Sequence, residues 1–116
     1  MKYFISMLLL LSISFPAGAT DSTDMVLTGV RVMGHLNGQA LACSQHEVAA
    51  RIKAVMIKFS PKSRLYGEAF EIATNEGFIA QTKSDQATCP SASLISEQVD
   101  EASKRLQSAL SVGVPK

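Results

Sequence analysis

The chain carries two cysteines, Cys43 and Cys89, and their fate constrains the fold more than any other feature of the sequence. An even pair becomes one disulfide if the chain matures in an oxidising compartment, and two free thiols or a metal pair if it does not. The N-terminus decides between these. It reads Met1-Lys2-Tyr3, then an apolar run from Phe4 to Phe15 broken by Ser6, Ser12 and Ser14, then Pro16-Ala17-Gly18-Ala19. A charged start, an apolar stretch of about a dozen residues and an Ala-x-Ala end form the pattern of a cleaved signal peptide. A membrane-spanning helix would need about 20 apolar residues. This run instead stops at a helix-breaking Pro-Ala-Gly and meets Asp21 and Asp24. Residues 1–19 are therefore expected to be removed on export to the periplasm or beyond, and Cys43 is expected to be joined to Cys89. No cysteine follows the cleavage point to carry a lipid. No later stretch reaches spanning length, so no stable membrane insertion is expected after cleavage.

The remaining residues, 20–116, are enough for a single domain with one modest core. A Cys43–Cys89 bridge closes a loop of roughly 47 residues, which removes about 4 kcal/mol of unfolded-state freedom in the chain-entropy model. Its expected role is structural, because redox-active cysteines normally sit close together in sequence, as in C-x-x-C. Loss of Lys2 with the leader leaves ten basic residues against ten acidic ones. A nucleic-acid binder is expected to be basic, so that class is disfavoured.

Periodicity predicts an all-α chain. Ser44-Gln45-His46-Glu47 has the pattern of a capping box. After it, Val48, Ile52, Val55, Met56 and Phe59 recur at helical spacing over 45–59, and Ser60-Pro61 stops them. A further helix is predicted over 63–82, with Leu65, Ala69, Ile72, Ala73, Glu76, Ile79 and Ala80 on one side. Gly67 and Gly77 inside it each cost up to about 1 kcal/mol relative to Ala, which suggests that another element comes close there. The cleanest amphipathic stripe is Ile95, Val99, Ala102, Leu106 and Leu110, in a helix over 91–110, with Glu101 and Arg105 spaced to pair and a frayed tail over 111–116. The first segment, 25–42, fits a helix through Met25, Val26, Gly29, Val32, Met33, Leu36, Ala40 and Leu41. Its Val26, Thr28, Val30 and Val32 also alternate as a strand would. No second strand is found to pair with it, which favours the helix. In an up-down bundle of three or four such helices, Cys43 and Cys89 fall at the same end, where one bridge joins them.

The chemistry-bearing residues are sparse. His35 and His46 are the only histidines, so no multi-histidine metal site is expected, and Cys43 near His46 and Glu47 is better used in the disulfide. Ser44 neighbours His46, but no nucleophile elbow surrounds it. Gly34-x-x-x-Gly38 lacks the flanking signals of a phosphate loop and points to close helix packing. No cofactor and no catalytic residue is expected, and the chain is not expected to be an enzyme.

Charge is the most informative hint of function. Arg51, Lys53, Lys58, Lys62 and Arg64 make a wholly basic run, whereas from Glu68 to Glu101 seven acidic residues meet only Lys83. Packing of the basic segment on the acidic one would explain this without any function. A dipolar surface that docks a partner is the sharper reading, with the five basic residues as the docking face. In size and cysteine separation the chain is similar to the periplasmic acid-stress chaperones, and the similarity implies architecture only. The expected function is that of an exported, non-enzymatic binding module of chaperone, inhibitor, immunity or secretion-accessory type. Its partner is another protein, which includes a second copy in a homodimer. The alternative is a carrier of an apolar small ligand held between helices, motivated by the small residues at Gly67, Gly77 and along the first segment.

Overall fold

A computed structural model describes residues 22–83 and 88–113. The leader segment 1–19, residues 84–87 of the polar turn and residues 114–116 of the tail lie outside the described residues. The described residues form four α-helices and no strand: α1 (Ser22–Ala42), α2 (His46–Phe59), α3 (Arg64–Thr82) and α4 (Ala92–Gly113). The first segment is thus a helix throughout. The last helix runs three residues beyond its expected end at 110.

Backbone chemistry at the helix ends departs from the sequence reading at one informative place. Ser44 is not an N-cap. It takes a positive φ of 55°, its N–H donates to the Leu41 carbonyl, and the Gln45 N–H donates to the Ala40 carbonyl at 2.8 Å. That pair of bonds is a Schellman motif closing α1, with Ser44 in the left-handed position that usually falls to glycine. Gln45 then precedes α2 without a side-chain cap bond. The expected capping box is not formed because the short connection needs Ser44 to end one helix before it can begin the next. The cap predicted here appears instead at α4, where Ser91 Oγ accepts the Leu94 N–H at 3.1 Å.

One core joins α1, α2 and α4. Val26, Val30, Met33, Leu36 and Ala40 of α1 meet Val48, Ile52 and Met56 of α2 and Ile95, Val99, Ala102, Leu106 and Ala109 of α4. Met33, Ile52, Ile95 and Leu106 are its largest fully buried side chains. α4 lies antiparallel to α1, with Leu106 seated on Gly29 and Cys89 beside the other end of α1.

α3 stands apart from this arrangement, packing against α1 and against neither α2 nor α4. The two run parallel and close. Asn37 Nδ2 donates to Thr74 Oγ1 at 3.2 Å, and Gln39 Nε2 donates to Gln81 Oε1 at 3.1 Å. A methyl group at Gly38 would fall on the Thr74 carbonyl, one at Gly77 on the His35 carbonyl, and one at Gly34 only 2.6 Å from the Phe70 carbonyl oxygen. Backbone therefore lies on backbone, as the Gly34-x-x-x-Gly38 spacing and Gly77 suggested. Gly67 is different: nothing lies within 4 Å of where its side chain would be.

This close seam overturns the expected inner face of α3. Ala73 and Gly77 are its buried residues, while Leu65, Ile72 and Ile79 are 52, 59 and 52% exposed. The side of α3 that carries the large apolar groups cannot approach a helix backbone this closely. The small-residue side can, and it faces α1.

Candidate functional site

Sulfur chemistry and the polar groups around it gather at one end of the molecule. Cys43 and Cys89 are bonded, with Cα atoms 5.7 Å apart. Gln45 Nε2 donates to the Pro90 carbonyl at 2.8 Å, and Gln81, already bonded to Gln39, points Nε2 at Cys89 Sγ at 3.8 Å. Three glutamines from α1, α3 and the first connection thus brace the bridge. They give it a structural setting and no reactive partner.

The five basic residues expected to form one docking face are divided by the fold. Arg51 pairs with Asp100 of α4. Lys62 donates to the carbonyls of Met56 and Ile57, satisfying the free end of α2. Arg64 pairs with Glu68 one turn along α3 at 3.6 Å. Lys58 lies over the Phe59 ring, 5.3 Å from its centre, and Lys53 is exposed. Only Lys53 and Lys58 share the outward side of α2, on either side of a line through the exposed Ala50, Ala54 and Ile57. The expected Glu101 and Arg105 pair is absent from the ion pairs of the described residues, which are Arg51–Asp100 and Arg64–Glu68.

α3 carries an exposed line of large apolar side chains. Leu65, Ile72 and Ile79 recur every seven residues on the side of α3 away from its small-residue seam, where neither α2 nor α4 covers them and where Leu65 and Ile72 share a groove with Leu27 and Arg31 of α1. Glu68 and Glu76 flank the line, one helical turn before and after Ile72. Sequence patterning assigned these apolar residues to the core. Their seven-residue spacing, which suits a partner helix, is the signal that could have placed them outside.

A second feature lies on the opposite flank of α1. A groove of about 600 Å³ runs between α1 and α4, lined by Met25, Val32, Ala102 and Ala109 with Asp24 and Arg105 at its rim. Gly29 opens it by letting α4 seat against the α1 backbone. Neither Gly67 nor Gly77, the residues that suggested a cavity, lines it.

His35 and His46 are exposed. Among the described residues no three of His, Cys, Asp and Glu gather in a way that could hold a metal ion. No helix among them is long and apolar enough to cross a membrane. Comparison of the chain with protein-family models, with curated proteins and with solved structures finds no match.

Proposed function

We propose that this chain is a small exported, non-enzymatic binding protein, periplasmic or secreted, that docks another protein on the outer face of α3. The observation that carries the reading is the line of Leu65, Ile72 and Ile79. All three are more than half exposed on a helix that, among the described residues, packs along α1 and not along α2 or α4. Scattered surface leucines need no explanation, but an ordered apolar line bordered by charge is the form of a helix-recognition surface. The non-enzymatic part of the reading is supported by Ser44, two residues before His46 in the sequence, which is committed to ending α1. Export is supported by the leader pattern and agrees with a disulfide that needs an oxidising compartment.

The test is site-specific photocrosslinking in the exporting cell. A benzoylphenylalanine at Ile72 should give a discrete adduct with a protein, and one at exposed Gln98 of α4 should not. An Ile72 probe that yields no protein adduct removes the reading.

The α1/α4 groove favours a second reading, an apolar small-ligand carrier, because its walls are apolar and its volume suits a drug-sized molecule. Native mass spectrometry of the exported protein would then show a co-purifying adduct that Ala109→Trp abolishes. A bare polypeptide mass counts against it.

A further inference from the structure

The basic run of this sequence lies largely on α2, whereas the acidic run is divided between α3, with Glu68, Glu71 and Glu76, and α4, with Glu97, Asp100 and Glu101. α4 packs on α2 and pairs Asp100 with Arg51, so part of the segregation is answered within the molecule. The acidic share on α3 is not, because α3 does not pack along α2. Arg51, Lys62 and Arg64 have partners within the molecule as described above, which leaves Lys53 and, over the ring of Phe59, Lys58 as the basic pair on the outward side of α2. Between them run Ala50, Ala54 and Ile57, all exposed, with Ile57 at 62%. The outward side of α3 carries the converse arrangement, with Glu76 on one side of Leu65, Ile72 and Ile79 and Glu68, partly neutralised by Arg64 of its own helix, on the other.

We infer that the α3 face is occupied by α2 of a second copy of this chain, in a two-fold dimer where each molecule offers α2 to its partner's α3. This rests on the reading of α3 as a docking surface and names its occupant. The small Ala50 and Ala54 leave room beside Ile57 for large side chains of a facing helix, and Leu65, Ile72 and Ile79 supply them. The lysine edges of one helix then meet the glutamate edges of the other, as flanking charges select partners in paired helices. A two-fold axis makes the contact reciprocal, so one α2/α3 pairing is formed twice and no end is left open for fibre growth. A foreign anion could meet the lysines of α2, whereas a basic helix with a small-residue face answers both the apolar line and the acidic edges of α3. This chain contains such a helix.

Charge exchange tests the pairing without touching the core. The exported, disulfide-bonded chain is examined by sedimentation equilibrium from micromolar to millimolar concentration, with circular dichroism to confirm unchanged helix content. Wild type should be a dimer. Lys53→Glu/Lys58→Glu places acid against acid at both seams, and Glu68→Lys/Glu76→Lys places base against base. Each double variant alone should weaken self-association by roughly tenfold or more. An equimolar mixture of the two should recover dimer, because every seam then joins an acidic edge to a basic one. A monomeric wild type, a dimer indifferent to either reversal, or a mixture that fails to recover would each overturn the inference. If wild type is monomeric while the Ile72 photocrosslink reports a different protein, the docking reading stands and the self-pairing falls. If Ile72 captures nothing, both fall.

Discussion

At the scale of single residues, two serines show where a helix cap forms and where it does not. Ser44 sits where α1 ends and holds a left-handed backbone with φ 55°, a conformation that costs a non-glycine residue roughly 1–2 kcal/mol. Ser44→Gly removes that strain, offset in part by the greater unfolded-state freedom of glycine, about 0.5–1 kcal/mol. A net gain of roughly 0.5–1 kcal/mol is expected, seen as a rise of a few degrees in Tm for a domain of this size. A fall in Tm would mean that the Ser44 side chain matters more than its backbone. Ser91 is the converse case. Its hydroxyl accepts the Leu94 N–H, so Ser91→Ala should cost about 1 kcal/mol in urea unfolding. Both serines lie beside a helix start in sequence, and the capping pattern fits Ser44 better. Only three residues, 43–45, separate α1 from α2. In so short a connection the geometry of the outgoing helix end overrides the preference of the incoming one.

At the scale of elements, the helices were legible in proportion to how conventionally they pack. The stripe of α4 is read directly from its sequence, since Ile95, Val99, Ala102 and Leu106 are all buried. The same holds for Val48, Ile52 and Met56 of α2. α3 was legible as a helix but not in its orientation. Hydrophobic periodicity weights large side chains, whereas the α1/α3 seam is held by small ones, Gly34, Gly38, Ala73 and Gly77, that let backbones meet. The exposed line of Leu65, Ile72 and Ile79 consequently reads in sequence as a core stripe. The two glycine classes separate cleanly by mutation. Gly38→Ala drives a methyl into the Thr74 carbonyl, and because the atom it meets is backbone, a helix has to move. A loss of about 3 kcal/mol is expected, at the upper end of ordinary overpacking. Gly67→Ala meets empty space and should stabilise α3 by up to about 1 kcal/mol through helix propensity. Chemical denaturation of the pair decides the matter. Equal effects would show that α1 and α3 do not lie backbone to backbone.

At the scale of the whole molecule, the disulfide and α1 together determine how the parts cohere. α1 is the one helix that touches all the others, and the bridge fastens the connection at its C-terminal end to the residues leading into α4, 46 positions away. Those 46 positions enclose both α2 and α3, so in the unfolded chain the bridge restrains the two helices that have no contact with each other in the folded one. In the chain-entropy account a loop of this length removes about 4 kcal/mol of unfolded-state freedom. That is a large share of the roughly 5–15 kcal/mol that holds a typical domain together. Replacement by Cys43→Ser/Cys89→Ser leaves the buried core untouched, because Cys89 is exposed and Cys43 half-buried. The expected result is a stability loss of about 4 kcal/mol, with the urea midpoint falling and the denaturant slope rising. The slope reports surface exposed on unfolding, and a chain freed of its crosslink unfolds to a more open ensemble. The slope is the discriminating quantity. If the midpoint falls while the slope stays fixed, the bridge acts on the folded state, through its glutamine brace, and not by restraining the unfolded chain.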